Sequence, residues 1–76
     1  MENRVKKVMS DILNIDIGSI NNDSSPDNIE TWDSLKHMNL IIALEEEFNI
    51  ELHDDDIVEM LNYNLIIRII KKCEKD

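Results

Sequence analysis

The hydrophobic positions near the start of the chain repeat with the period of an α-helix. They recur at i, i+3, i+4, i+7 and i+8, which places them on one face of a helix. These positions are Val5, Val8, Met9, Ile12 and Leu13. The spacing predicts a first helix from about Glu2 to Asn14.

A long polar segment follows between Ile15 and Trp32. Most of its residues are turn formers, which favour loops over helices and strands; they are Gly18, Ser19, Asn21, Asn22, Asp23, Ser24, Ser25, Pro26, Asp27 and Asn28. Ile17, Ile20 and Ile29 interrupt the polar run. The pattern predicts a long loop pinned to the core by these isoleucines, and a loop of this length in a compact domain is often functional.

Three further helices are predicted after the loop. From Ser34 to about Asn49 no Gly or Pro interrupts a run of strong helix formers. Acidic residues suit the N-terminus of a short third helix, and an Asn can cap the last helix. The third helix carries Asp54, Asp55, Asp56, Ile57, Val58, Met60 and Leu61, and the last helix, capped by Asn62 or Asn64, has an apolar face of Leu65, Ile66, Ile69, Ile70 and Cys73. The chain is therefore predicted to be a single all-α domain covering residues 1–76.

The second helix is apolar on two sides. Leu40, Leu44 and Phe48, with Ile41 at the edge, form the predicted core face. A second stripe lies roughly 150° away at ~100° per residue; it consists of Leu35, Met38 and Ile42, flanked by Glu45 and Glu46. A small bundle buries one broad stripe of a helix, so we expect the second to stay partly exposed as an interaction surface. The alternative is a central helix with both stripes buried.

Composition and charge narrow the classes of partner. The chain has 76 residues with one Gly, one Pro and three aromatic residues, which disfavours short-stranded β folds. Its net charge of −9 disfavours nucleic acid and anionic lipid surfaces and favours basic patches on proteins, although acidity also serves solubility. The single Cys73, the absence of an apolar leader and the lack of a ~20-residue apolar run predict a cytoplasmic protein without membrane insertion.

Candidate chemistry centres on the start of the second helix. Asp33 suits the N-cap position and Ser34 the first helical position, which exposes the serine hydroxyl beside free backbone N–H groups. A phosphodiester on that oxygen would sit at the positive end of the helix dipole. Nucleophilic catalysis is disfavoured because His37 and His53 are the only histidines and neither a nucleophile elbow nor an oxyanion hole is evident.

At this point the chain closely resembles the acyl carrier protein family over nearly its whole length. The resemblance rests on Asp33-Ser34-Leu35, on Leu40 and the segment from Ala43 to Leu52, and on Asp54-Asp55-Asp56. It implies an antiparallel four-helix bundle with a short third helix, acting as a monomeric, non-catalytic carrier. It also implies that a phosphopantetheinyl transferase moves a 4'-phosphopantetheine arm from coenzyme A to Ser34, where the terminal thiol carries acyl groups as thioesters.

The same resemblance implies a docking surface for partner enzymes. In such carriers the acidic residues and apolar stripe of the second helix meet basic, partly apolar patches on acyl-loading and acyl-transferring enzymes. The matching positions here are Leu35, Met38, Ile42, Glu45, Glu46 and Glu47. Asp33 would serve both as the helix cap and in recognition by the transferase.

Three positions depart from the family pattern. Trp32 stands where a small residue is common, and Lys36 and Asn39 replace residues that are frequently acidic in fatty-acid carriers. These changes leave fatty-acid synthesis and a dedicated pathway, such as polysaccharide acylation or specialised metabolite assembly, as alternatives. Asp33 favours an acyl-type carrier over peptidyl carriers, which have His there. D-alanyl carriers and an unmodified acidic adaptor remain open.

The other notable side chains have structural interpretations. Trp32 is expected to pack as an anchor that closes the loop over the bundle, with contact to a partner or to the arm as the alternative. Cys73 is expected to be an ordinary helix-face thiol. The cluster Asp54-Asp55-Asp56 could attract divalent cations but lacks the ligand spacing of a calcium loop. His37 and His53 are too isolated in sequence to indicate zinc.

Overall fold

The chain folds as an antiparallel four-helix bundle, as the sequence predicts. The computed structural model describes residues 2–74, and in that range it contains four α-helices, one 3₁₀ turn and no strand. The helices are α1 (Glu2–Leu13), α2 (Ser34–Phe48), α3 (Asp54–Glu59) and α4 (Tyr63–Glu74), and the 3₁₀ turn is Ile17–Ser19. Within these residues no helix has the length and apolar character needed to cross a membrane.

The predicted apolar faces meet in one core. Val5, Met9 and Leu13 of α1 are buried, with Val8 and Ile12 partly buried at its edge. The predicted core face of α2 is also confirmed, since Leu40, Ile41, Leu44 and Phe48 are all buried. Ile66, Ile69 and Ile70 of α4 close the bundle, together with three residues that the helical spacing did not single out as core: Met60, Tyr63 and Ile67.

Asparagine ends both α1 and α2. Asn14 and Asn49 adopt left-handed backbone conformations, with φ of 57° and 54°. The amide of Ile15 then donates to the carbonyl of Ser10, and the amide of Ile50 donates to the carbonyl of Glu45. This six-to-one bond is that of the Schellman motif, which satisfies the last carbonyls of a helix. It explains why α1 and α2 end at the residue before each asparagine.

The first loop is held to the bundle mainly by buried residues at its two ends. Ile20 is buried and Ile29 half-buried, as predicted. Ile17 is 44% exposed, so the expectation that it pins the loop is wrong. It lies inside the 3₁₀ turn, and Ile15 and Ile20 on either side of that turn take the positions against the core.

A buried serine joins this loop to α4. The hydroxyl of Ser24, which is 3% exposed, accepts from the amide of Asn21 at 2.9 Å. The carbonyl of Ser24 accepts from the amide of Tyr63 at 2.9 Å, at the first residue of α4. Asn62 caps the same helix, because its Oδ1 accepts from the amide of Leu65 at 2.8 Å. Of the two capping residues considered from sequence, Asn62 is the one used.

The short helix α3 is attached through Ile57, which packs against the core, and through polar contacts of Asp56. Asp56 is its only fully buried residue, and its Oδ1 accepts from Lys72 Nζ of α4 at 3.0 Å. The amide of His53 donates to the other carboxylate oxygen at 3.4 Å. The hydrogen bond from Lys72 lowers the pKa of Asp56 below 3.8, and the same bond raises the pKa of Lys72 above 10.5.

This pair predicts a specific dependence of stability on pH. Because the folded pKa of Asp56 is lowered, its contribution is complete above the unfolded value of about 3.9 and is lost as pH falls through the folded value. Asp56→Asn should therefore lower the urea midpoint at pH 7, and its difference from the unaltered protein should shrink in acid. Asp55→Asn, an exposed neighbour, is the matched control. A difference that stays constant from pH 7 to acid would contradict the assignment.

Candidate functional site

The start of α2 presents a serine hydroxyl to solvent. Asp33 precedes the helix in an extended conformation, and its Oδ1 accepts from the amide of Lys36 at 2.9 Å. Its carbonyl accepts from the amide of His37 at 2.8 Å, which closes the first helical turn. Ser34 is the first helical residue and is exposed. Its amide and that of Leu35 precede the first intrahelical bond, so they remain available at the positive end of the dipole.

Trp32 anchors the residue before the cap. Its side chain is 2% exposed, which confirms the expected packing role. Indole Nε1 donates to Nδ1 of His37 at 3.0 Å, and Nε2 of His37 lies 3.2 Å from the carbonyl oxygen of Ile57. Both ring nitrogens of His37 are thus engaged with groups other than Ser34. In this arrangement the imidazole is not positioned as a general base for the serine.

The second apolar stripe of α2 is exposed. Met38 is 48% and Ile42 52% exposed, and Leu35 is exposed to an even greater extent. Of the two interpretations of the amphipathic pattern, the exposed strip is the confirmed one. We call Leu35, Met38 and Ile42 the apolar strip. Exposure of three neighbouring large apolar side chains on one helix is typical of an interaction surface.

The three glutamates after the strip have different surroundings. Glu46 is exposed beside Ile42, as predicted for a docking residue. Glu45 is partly buried, and its Oε2 accepts from the amide of Leu52 at 2.8 Å, which fixes the segment after α2. Glu45 therefore has a structural contact that an exposed docking residue would lack.

Glu47 lies on the side of α2 that faces α1. Its Oε2 accepts from Arg4 Nε at 2.9 Å, and its carbonyl accepts from Arg4 Nη2 at 2.7 Å. The same guanidinium stacks 4.5 Å from the ring centroid of Phe48. Glu47 therefore takes part in a contact between α1 and the C-terminus of α2, and its expected docking role stays a prediction.

The segment from α3 to Leu61 adds apolar surface that was not assigned a role from sequence. The third helix was expected to include Met60 and Leu61, but α3 ends at Glu59. Val58 and Leu61 are 67% and 61% exposed. Leu61 lines a surface depression that also includes Ser34, Trp32 and Met38, together with Pro26, Asp33, His37 and Met60. The signal was present in the sequence, since four of the five positions from Ile57 to Leu61 are apolar, more than one face of a single helix can bury.

Negative charge is concentrated on the segment that contains the site. Thirteen of the 17 acidic residues lie between Asp16 and Glu59, and of the eight basic residues only Lys36 does. Arg4 and Lys72 pair with Glu47 and Asp56 at the far end of α2 and behind α3. Glu30 and Asp33, the acidic residues nearest Ser34 in sequence, are exposed. Exposed acidic side chains favour encounter with basic surfaces.

The structure describes no metal centre. Within residues 2–74 no group of three or more His, Cys, Asp or Glu side chains has an arrangement that could hold a metal ion. Asp56, from the cluster considered for divalent cations, is buried against Lys72. Cys73 is partly exposed on α4, and burial raises the pKa of its thiol. This environment is that of an unreactive helix-face cysteine.

The class of domain follows from a comparison with protein families. A family described as "phosphopantetheine attachment site" matches residues 3–70, nearly the whole chain. The chain is therefore a phosphopantetheine-binding domain, a class that implies a phosphopantetheine prosthetic group. The residues of the site fit such a group, because an exposed hydroxyl at the N-terminus of a 15-residue helix suits a phosphate ester and an adjoining depression has apolar walls.

Similar proteins define the family more narrowly. The acyl carrier protein of Buchnera aphidicola subspecies Schizaphis graminum is 48% identical over 82% of this chain and 77% of its own length. The acyl carrier protein of Buchnera aphidicola subspecies Baizongia pistaciae is 36% identical over 95% of this chain and 92% of its own length. The chain belongs to the acyl carrier protein family, whose members are carriers. A solution NMR structure of the holo acyl carrier protein from Geobacter metallireducens superimposes with a TM-score of 0.85 over 95% of this chain and 83% of that one; at 24% identity this supports the fold.

The cap geometry predicts different costs for two neighbouring substitutions. Asp33→Ala removes the acceptor for the Lys36 amide and should lower the free energy of unfolding by about 1 kcal/mol. Ser34→Ala removes only an exposed first-turn hydroxyl and should leave stability nearly unchanged. Chemical denaturation of both variants checks this ranking, and the reverse order would mean that Asp33 is not the effective cap.

Proposed function

We propose that this protein carries acyl groups on a 4'-phosphopantetheine arm attached to the hydroxyl of Ser34 and presents them to partner enzymes. The arm would come from coenzyme A through a phosphopantetheinyl transferase. When bound, it supplies a thiol that holds acyl groups as thioesters. The protein would act as a monomer in the cytoplasm.

One observation carries this proposal: Ser34 is exposed at the N-terminus of α2, between the Asp33 cap and the apolar strip. The helix dipole and the amides of Ser34 and Leu35 favour an anion at this oxygen. No side-chain base contacts the hydroxyl within the described residues, since His37 is bonded to Trp32 and faces Ile57. The site therefore suits an acceptor of a group transferred by another enzyme.

The residues around Ser34 have distinct proposed roles. Asp33 fixes the first turn through the Lys36 amide and presents its remaining carboxylate oxygen to the transferase. The apolar strip provides the contact area for partners, and Glu46 attracts their basic residues. Leu61, which follows α3, lines the depression beside Ser34, and Val58 of α3 adds exposed apolar surface.

The proposed cargo is an acyl intermediate of fatty-acid synthesis or of a specialised pathway such as polysaccharide or polyketide assembly. The acyl carrier relatives favour an acyl cargo over D-alanyl or aminoacyl cargo. Lys36, which is partly exposed in the first turn of α2, lessens the negative charge beside Ser34. Partners of this carrier should thus rely on Glu46 and the apolar strip more than on charge at the first turn.

Attachment at Ser34 is tested by intact mass spectrometry. The unmodified protein, incubated with coenzyme A and a phosphopantetheinyl transferase of broad specificity, should gain the mass of one phosphopantetheine group. Ser34→Ala should gain none while it retains the helical circular dichroism of the unaltered protein. Ser34→Thr keeps a hydroxyl at the same position and shows whether the transferase requires a primary alcohol.

Two outcomes would overturn the proposal. If the protein gains no mass under conditions that modify a known carrier, the acidic helical adaptor becomes the better interpretation. A mass gain that persists in Ser34→Ala would place the attachment on another residue.

The docking role of Glu46 predicts a defect that depends on salt. Glu46→Lys should slow association with the transferase, because an exposed charge acts mainly on the encounter rate, and the defect should shrink as salt rises. Glu51→Lys is the matched control, since this exposed acid lies with Lys72 and Cys73 around a different depression. Equal defects in the two variants would indicate a general effect of net charge. Glu45 is unsuitable for this test, because it bonds the Leu52 amide.

Ile42→Ala provides the contrasting variant on the same surface. It removes contact area without changing charge, so it should speed dissociation with little dependence on salt. Its unfolding free energy should stay near that of the unaltered protein, whereas Leu44→Ala in the core should lose about 2–5 kcal/mol. A loss of that size in Ile42→Ala would show that the residue belongs to the core.

A further inference from the structure

A chain of two hydrogen bonds connects three parts of the molecule beside Ser34. Trp32 belongs to the end of the first loop, His37 to the second turn of α2, and Ile57 to α3. Trp32 Nε1 donates to His37 Nδ1 at 3.0 Å, and His37 Nε2 lies 3.2 Å from the Ile57 carbonyl oxygen. The Trp32 and His37 rings are also stacked, with centroids 6.1 Å apart and planes inclined by 22°.

The chemistry of the groups sets the direction of both bonds. Indole Nε1–H is a donor only, so Nδ1 of His37 must accept. In the neutral imidazole the hydrogen then resides on Nε2, which donates to the Ile57 carbonyl. Trp32 therefore selects the tautomer of His37 that can bind α3. Without the indole donor, the ring can also carry its hydrogen on Nδ1, and in that tautomer the bond to Ile57 is lost.

This link matters because α3 is short and its own apolar contact with the core is that of the partly buried Ile57. Asp56 is the one residue of α3 that is buried, and it is held by Lys72 of α4. His37 provides a side-chain bond from α2 to α3. The depression that includes Ser34 is lined by Trp32 and His37 and also by Met60 and Leu61, which directly follow α3, so a shift of α3 displaces part of its wall.

We propose that Trp32 and His37 form a latch that couples the position of α3 to the loop and helix that carry Ser34. His37 is a positioning residue in this arrangement, and Trp32 acts through it by fixing its tautomer. A protein that contacts the exposed Val58 of α3 and the exposed Leu61 directly after it would shift α3, and through the latch it would change the surroundings of Ser34. The latch consists entirely of this chain's residues, so its test does not require an attached group and is independent of modification at Ser34.

Two conservative substitutions at His37 separate the two bonds. Asn places its oxygen near the position of Nδ1, so His37→Asn keeps the acceptor for Trp32 and loses the bond to Ile57. Gln places its amide near the position of Nε2, so His37→Gln keeps the donor to Ile57 and loses the acceptor for Trp32. Amide hydrogen exchange of α3 reports the bond between His37 and Ile57. Acrylamide quenching of fluorescence reports the bond between Trp32 and His37, because Trp32 is the only tryptophan in the sequence.

The expected results form a crossed pattern. His37→Asn should speed exchange of the α3 amides about fivefold, the net worth of one hydrogen bond, with Trp32 as protected from quenching as before. His37→Gln should retain slow exchange in α3 and leave Trp32 more open to quenching. Asn39→Gln, an exposed neighbour on α2, should change neither measurement.

Transmission through the latch is tested with Trp32→Phe, which keeps an aromatic ring and removes the N–H donor. This variant should also speed α3 exchange, by up to about fivefold, although Trp32 makes no hydrogen bond to α3. The double variant Trp32→Phe/His37→Asn should exchange no faster than His37→Asn alone, because His37→Asn already lacks the bond to Ile57 through which Trp32 acts. Exchange in Trp32→Phe at the unaltered rate, or additive effects in the double variant, would overturn the proposal, since the two residues would then pack independently.

Discussion

Burial of Trp32 immediately before the Asp33 cap is the constraint on which the rest of the site depends. Trp32 lies in the core, and the next residue, in extended conformation, turns its carboxylate outward to the Lys36 amide. Successive side chains of an extended segment point to opposite sides, so an inward tryptophan requires an outward aspartate. These two contacts determine both the residue at which α2 begins and the rotation of that helix about its axis.

Once the rotation of α2 is set, one of its two apolar stripes is buried and the other is exposed. Leu40 and Leu44 enter the core completely, whereas Met38 and Ile42 remain about half exposed. Polar residues at the exposed positions would serve the stability of the fold equally well, so burial within the monomer does not account for the apolar strip. Such a disagreement between local sequence and the needs of the fold is most often found at a functional surface. The apolar strip borders Ser34, where the family resemblance implies attachment of phosphopantetheine.

The sequence predicted features that depend on local spacing and missed those that depend on tertiary neighbours. Helix periodicity gave the core face of α2, and capping preferences gave Asp33 and reduced the cap of the last helix to Asn62 or Asn64, of which the structure uses Asn62. The sequence assigns the same docking role to Glu45, Glu46 and Glu47, because all three stand near the end of the same helix. Arg4, 43 residues away, and the Leu52 amide distinguish them, and neither contact has a signature in the glutamates themselves.

Other differences between prediction and structure have the same cause. The three isoleucines of the first loop are equivalent in the sequence pattern, but the 3₁₀ turn directs the side chain of Ile17 to solvent. Tyr63 enters the core although it falls at the first position of α4, where helical spacing carries little information. The contact of His37 with α3 depends on the docking of a helix twenty residues away. Local patterns therefore locate Ser34 and its cap, and the packed structure decides which surrounding residues are available to a partner.

The way α3 is attached completes the physical picture of the site. A helix held by apolar burial is stabilised in proportion to its buried area, but α3 packs Ile57 only partly against the core and exposes Val58. Its attachment thus depends on that contact and on directional bonds to Lys72 and His37, each with a modest net contribution. Elements with few buried apolar contacts open at lower free energy than the core does. Ser34 therefore stands on a helix that is firmly packed through Leu40, Leu44 and Phe48, beside a shorter helix that is less firmly packed. This arrangement would suit the proposed carrier function, because Ser34 would stay fixed while the wall next to it could yield.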